Sequence, residues 1–189
     1  LDGTKFFYVN PLEVVPEASE KDHNKAHVKV ERQKWFGCAC CPPNVARLLS
    51  SIGGYAYETS EDAIYMNLFV GGDMETVLDG RENQFHVKTN YPWDGTVTVQ
   101  VENAEDSTFT FALRIPGWCR KWSLEVNGQD NAFVMEKGYA CIKRTFQNGD
   151  QICLKLEMPV TLVSANPRVR ENIGKVAVMR GPVVYCLEE

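Results

Sequence analysis

The chain has 189 residues, 44% of them hydrophobic and 24% charged, with a formal net charge of −5. That length and apolar content suit a folded protein with one core or two small ones and exclude disorder as the default state. The acidic balance, without a run of Lys or Arg, excludes a nucleic-acid surface, which needs clustered cations to displace phosphate counterions. It points instead to a small neutral ligand or a protein partner.

No stretch approaches the roughly 18 consecutive apolar residues of a membrane-spanning helix, and Leu1-Asp2-Gly3-Thr4-Lys5 lacks the layout of a signal peptide. No membrane association is therefore expected. The first residue is Leu, and Val183-Val184-Tyr185-Cys186-Leu187-Glu188-Glu189 reads as a strand just finished, so both ends are expected to be cut from something longer. Oligomeric state leaves no signature in the sequence.

In chain order, the first informative segment is Trp35-Phe36-Gly37-Cys38-Ala39-Cys40-Cys41-Pro42-Pro43-Asn44. Three of the seven cysteines crowd into four positions there, too close for a disulfide framework. Val45, Leu48, Leu49 and Ile52 then recur at i, i+3, i+4, i+7, which predicts a short helix over Pro43 to Ile52 that Gly53-Gly54 ends. Pro42 and Pro43 suit the first helical positions, so Cys40 and Cys41 are expected at the helix amino terminus. One helix and a loop cannot bury a core, and an upstream helical domain is implied.

From about Asp62 the period changes to two. Strands are predicted at Ala63 to Val70, Gln84 to Thr89, Thr96 to Val101, Thr108 to Ile115, Ser123 to Val126, Tyr139 to Arg144 and Gln151 to Met158. Alternation through Phe109, Phe111, Leu113 and Ile115, and through Ile152, Leu154, Leu156 and Met158, gives each of those strands one buried face. Turn signals at Gly71-Gly72-Asp73, Asp94-Gly95, Asn127-Gly128 and Asn148-Gly149-Asp150 predict short antiparallel connections and a sandwich. Pro159 breaks the pattern and sets a boundary near Met158. Val160 to Ala165 and Lys175 to Leu187 are read as the start of a separate sheet.

A free thiol has a pKa of about 8.5, which a helix amino terminus or a metal lowers to ~3.5–7.5. Soft thiolates select zinc or an iron–sulfur cluster. The chain has no second Cys-x-x-Cys pair, and His23, His27 and His86 stand at no recognised ligand spacing, so no complete zinc site can be assembled from the sequence. From spacing alone, small buried side chains at a tight turn explain the cluster as well as chemistry does. The scattered Cys119, Cys141, Cys153 and Cys186 read as free thiols acting as small hydrophobes, and together these usages predict a reducing, cytoplasmic location.

Phe7-Tyr8-Val9-Asn10-Pro11-Leu12-Glu13 and Trp35-Phe36-Gly37-Cys38-Ala39-Cys40-Cys41-Pro42-Pro43-Asn44-Val45-Ala46-Arg47 resemble glycoside hydrolase family 127, the β-L-arabinofuranosidases. Further likeness lies in Tyr91-Pro92-Trp93-Asp94-Gly95, Leu113-Arg114-Ile115-Pro116-Gly117-Trp118, Val126-Asn127-Gly128, Gly174-Lys175-Val176-Ala177 and Arg180-Gly181-Pro182. The resemblance implies a mainly β chain: the end of an (α/α)6 barrel over residues 1–57, a β-sandwich over 58–158, and an incomplete second sandwich over 159–189. It also implies retaining hydrolysis of an arabinofuranoside or related small sugar by a zinc-bound cysteine, an exception to the usual carboxylate pair.

By position that nucleophile is Cys40. Zn2+ would be held by Cys40 and Cys41, with a glutamate and a further cysteine upstream, where the acid/base glutamate also lies. The resemblance makes Tyr8 a wall of the sugar site and Cys38 a candidate lining residue, although packing accounts for Cys38 equally well. Asn10 reads more readily as a turn residue before Pro11, His27 as a surface residue and Trp35 as core. Trp93 and Trp118 are expected to pack the sandwich, with sugar stacking as the other reading. Two rival functions remain: a carbohydrate-binding sandwich that does not need the cysteines, and a zinc-stabilised interaction module with four ligands inside this chain.

Overall fold

The computed structural model describes residues 3–8, 15–25, 28–37, 40–104 and 108–186. The chain is mainly β and divides into two compact units, Leu1–Ser51 and Ile52–Leu187.

The first unit contains helix α1 (Pro16–Lys21), a 3-10 turn (His23–Lys25) and helix α2 (Cys41–Ser51). Helix α2 starts two residues before the predicted Pro43, because the prolines occupy its first turn and Cys40 stands outside it as the capping residue. Its apolar stripe is present but uncovered: Val45, Leu48 and Leu49 are all exposed, and no residue of α2 is buried.

The second unit opens with helix α3 (Gly53–Ala56), so Gly53-Gly54 does not end helical geometry as expected; neither glycine has a positive φ. Eleven strands then build two sheets. The five-stranded sheet has the order β1 (Tyr57–Thr59), β2 (Ala63–Met66), β6 (Thr108–Arg114), β10 (Tyr139–Thr145), β9 (Val134–Glu136). The six-stranded sheet has the order β3 (Gly72–Leu78), β4 (Arg81–Thr89), β5 (Thr96–Asn103), β11 (Gln151–Leu156), β7 (Trp122–Val126), β8 (Gln129–Asp130).

Alternation decides which residues form the core. Phe109, Phe111 and Leu113 from β6 and Ile142 from β10 are buried, as are Phe85 and Val87 from β4, Val97, Val99 and Val101 from β5, and Ile152 and Leu154 from β11. Phe85 meets Phe109 and Phe111 edge to face at 6.0 and 5.4 Å, and Phe109 stacks on Phe146 at 4.6 Å, geometries that aromatic quadrupoles favour.

Three two-residue turns set register by the same device, two adjacent residues with positive φ. They are Asp79-Gly80 (50° and 74°), Asn127-Gly128 (53° and 73°) and Lys137-Gly138 (48° and 90°), closing β3–β4, β7–β8 and β9–β10. Not every connection is antiparallel, however, for β2 pairs with β6 in parallel. Asn148-Gly149-Asp150 carries the chain from one sheet to the other rather than closing a hairpin. The predicted strand Ala63 to Val70 stops at Met66, where Asn67 and Leu68 turn their amides to the carbonyl of Ala56.

The remaining strands, β12 (Val160–Val163), β13 (Ala177–Arg180) and β14 (Val183–Tyr185), form a three-stranded sheet. Gly181-Pro182 splits the run predicted from Lys175 to Leu187, with Gly181 at φ 58°. Arg180 Nη1 donates to the carbonyl of Trp93 at 2.7 Å.

Candidate active site

Within the first unit, two segments distant in sequence meet at the start of α2. Phe6 and Gln33 exchange both backbone hydrogen bonds at 2.9 Å, an isolated antiparallel bridge. Because side chains alternate along an extended segment, Phe6 and Tyr8 share one side. There Phe36 packs on both, with ring centroids 5.2 Å from Phe6 and 5.3 Å from Tyr8, while Arg32 lies 5.0 Å over Phe7. This aromatic cluster directs the Tyr8 hydroxyl to the sulfur of Cys40, at 2.6 Å.

The helix start holds Cys40 from its backbone. Its carbonyl accepts from the Asn44 amide nitrogen at 3.4 Å and from the Asn44 side-chain Nδ2 at 2.8 Å. Pro42 and Pro43 pre-set φ through the first turn and have no N–H to leave unsatisfied. The run Cys-Cys-Pro-Pro-Asn thus has a local physical sense: prolines fix the turn and Asn44 ties down the residue before it.

Cys40 and Cys41 are free, exposed thiols whose sulfurs lie 3.7 Å apart. Two sulfurs sharing a tetrahedral zinc with bonds near 2.3 Å are separated by about 3.8 Å, so the pair suits two corners of such a site. Among the described residues, no group of three His, Cys, Asp or Glu side chains comes together to hold a metal. The chemistry these residues offer is a soft, accessible sulfur pair beside a phenol hydroxyl.

The other sequence candidates stand apart from this site. Cys38, Asn10 and His27 lie outside the described residues. Trp35 is 63% exposed, correcting the expectation that it is core, and Trp93, 59% exposed, does not pack the sandwich. Trp118 does pack against the sandwich core. His23 falls in the 3-10 turn, and His86 pairs with Asp73 on the six-stranded sheet, Nδ1 to Oδ1 at 2.6 Å. Cys119 is buried, whereas Cys141 and Cys153 are half-buried and Cys186 is exposed; burial pushes the thiols of Cys119 and Cys141 up. Sequence reasoning missed Phe6, Gln33 and Phe36, which support Tyr8. Their available signal was the alternation of Phe6 and Tyr8.

Comparison with known proteins gives three family matches in succession. Residues 1–54 match the "Beta-L-arabinofuranosidase, GH127 catalytic domain", residues 63–158 the GH127 middle domain and residues 160–189 the "Glycoside hydrolase family 127 C-terminal domain". The chain is 40% identical to a non-reducing end β-L-arabinofuranosidase of Bifidobacterium longum subsp. longum, over 100% of this chain and 29% of that protein. It is similar to the crystal structure of a GH127 β-L-arabinofuranosidase from Geobacillus stearothermophilus T6, with 54% identity and a TM-score of 0.90, covering 100% of this chain and 30% of that one. A GH127 β-arabinofuranosidase structure matches at 36% identity and a TM-score of 0.78, over 85% of this chain and 28% of the other. The chain thus spans about 30% of the length of these relatives. With the middle-domain match alone covering just over half of its residues, the chain belongs to glycoside hydrolase family 127.

Proposed function

We propose that this chain is the nucleophile-bearing part of a retaining glycoside hydrolase, a β-L-arabinofuranosidase that releases non-reducing terminal β-L-arabinofuranosyl groups. The observation that carries the reading is the paired, exposed thiols of Cys40 and Cys41 beside the Tyr8 hydroxyl, in a segment matching the family's catalytic domain. The relatives' names supply the substrate class.

In this reading Cys40 Sγ attacks the anomeric carbon as the bond to the leaving oxygen breaks, that oxygen taking a proton from the acid/base group, and an S-glycosyl (thioglycoside) adduct forms on Cys40. Water then displaces the sulfur from the sugar, and two inversions give net retention. A bound zinc ion would keep the thiol deprotonated at neutral pH without a strong base nearby. Cys40 and Cys41 would hold it, and Cys41 has no other part in the reaction. Tyr8 would present its ring to the sugar, and Cys38 is retained as a lining candidate. The proton for the leaving oxygen, and the other two metal ligands, would come from outside these 189 residues, so the chain alone is expected to hydrolyse no arabinofuranoside.

We assign residues 1–57 to the end of the catalytic (α/α)6 barrel, 58–158 to a sandwich and 159–189 to the start of a second sandwich. A zinc module closed within this chain is the other reading, and it predicts four ligands inside these 189 residues. No described helix is long and apolar enough to cross a membrane. A reducing, cytoplasmic setting is retained as part of the proposal, on the free thiols.

The test is Cys40→Ser in the complete protein, assayed on an aryl β-L-arabinofuranoside. Turnover should vanish with the fold intact, because a hydroxyl is a far poorer nucleophile and ligand than a thiolate. Near-normal kcat would refute the assignment. Sugar binding that survives serine at the cysteines, with no turnover by either protein, would favour a carbohydrate-binding sandwich instead.

A further inference from the structure

We infer that Tyr8 is a positioning residue for the nucleophilic sulfur: its hydroxyl holds Cys40 Sγ in one orientation rather than binding a sugar hydroxyl. The inference rests on the proposed role of Cys40 and assigns a specific task to a residue otherwise read as pocket wall.

Cysteine has one side-chain torsion and three staggered wells, and an exposed Cys40 has little packing to choose among them. Within this chain the 2.6 Å contact with the Tyr8 hydroxyl supplies that choice, presetting the orientation in which the sulfur would meet the metal. A thiolate can only accept, so once Cys40 is deprotonated the phenol must be the donor. The donor is itself braced. Tyr8 is half-buried and packs on Phe36, which packs on Phe6, whose backbone is tied by two hydrogen bonds to Gln33. The sulfur is therefore held from the side-chain end by Tyr8 and from the backbone end by Asn44 through the Cys40 carbonyl. Two anchors on one residue fix the direction of a sulfur lone pair, which an in-line attack on the anomeric carbon requires.

Groups that hold a metal ligand through an outer hydrogen bond cost about 10–100-fold in activity or metal affinity when removed. Tyr8→Phe keeps the ring and its contact with Phe36 and removes the hydroxyl. In the complete zinc-loaded protein, kcat should fall by about 10–100-fold with KM within about twofold and zinc content unchanged. A second readout does not depend on turnover. In the cobalt-substituted protein the sulfur-to-cobalt charge-transfer band should move to longer wavelength in Tyr8→Phe, since a sulfur relieved of its O–H donor gives up electron density more easily.

A raised KM with kcat and the band both retained would overturn the inference and show that the hydroxyl binds sugar. Wild-type kcat, KM and band together would show that the contact has no role. Both outcomes leave the nucleophile assignment intact as long as Cys40→Ser is inactive. Turnover by Cys40→Ser would instead refute the function on which the inference rests.

Discussion

Of the sandwich's glycines, Gly95 has the least room for a side chain. A Cβ added there would lie 1.9 Å from the carbonyl oxygen of Leu156 and 2.9 Å from its carbonyl carbon, where real contacts are essentially never under 3.0 Å. Relief requires β5 and β11 to part locally by about 1.1 Å, far up the repulsive wall of the contact potential. The same movement stretches the hydrogen bond from the Leu156 amide to the Gly95 carbonyl, now 2.9 Å. Losing that bond costs about 1 kcal/mol, and overpacking adds about 1–3 kcal/mol. Gly95→Ala should therefore destabilise the sandwich by roughly 2–4 kcal/mol. Gly117→Ala is the control: its Cβ would meet nothing within 4 Å and its φ is not positive, so a change within about 0.5 kcal/mol is expected. Urea unfolding followed by circular dichroism compares the two midpoints at unchanged slope. Equal midpoints for the two variants would refute the close approach of β5 and β11.

Three further outcomes are expected. Asp150, 8% exposed, accepts from Asn127 Nδ2 at 2.7 Å and the Gln147 amide at 3.1 Å and pairs with Arg144 at 3.4 Å. Asp150→Ala should cost about 2–4 kcal/mol in the same urea assay, discounted for the partly exposed Arg144, and Asp150→Asn less. Burial pushes the Tyr57 phenol up to about 12, above its usual value near 10. The unfolded chain then loses its phenolic proton first, so stability is fully present below pH ~10 and falls as pH rises toward 12. Stability measured across that window should fall less steeply in Tyr57→Phe, and identical slopes would contradict the burial. Finally, Cys41→Ser in the complete protein should lower zinc content and activity together, with partial recovery on added zinc. Full zinc occupancy in that variant, measured by elemental analysis, would show that Cys41 is no ligand.

The fold was legible wherever one face of a strand is buried and the other solvated. Phe109, Phe111 and Leu113 stand at every second position because they share the core-facing side of β6, and the structure buries all three. Strand β3 has no clear signature in the sequence because Gly72-Asp73 resembles a turn and only Met74 and Leu78 of its seven residues are buried. Asp79-Gly80 and Lys137-Gly138 are turns beyond those expected from the sequence, each pairing a positive-φ residue with glycine as Asn127-Gly128 does. The parallel pairing of β2 with β6 joins residues 47 positions apart, such as Ala63 and Thr110, and periodicity carries no information on partner or direction. The site divides in the same way. Cys40 and Cys41 stood out through local spacing and family resemblance, whereas the Tyr8 hydroxyl reaches Cys40 across 32 residues through the Phe6–Gln33 bridge, a tertiary contact with no local signature.

The central claim is that the Cys40 sulfur forms a bond to the sugar. The direct measurement is to mix the complete protein with an activated, slowly hydrolysed β-L-arabinofuranosyl substrate, quench in acid, and map the adduct by tandem mass spectrometry of peptides. The account predicts a single pentosyl group on Cys40, absent in Cys40→Ser. A pentosyl group on an aspartate or glutamate, with Cys40 unmodified in the same digest, would contradict it.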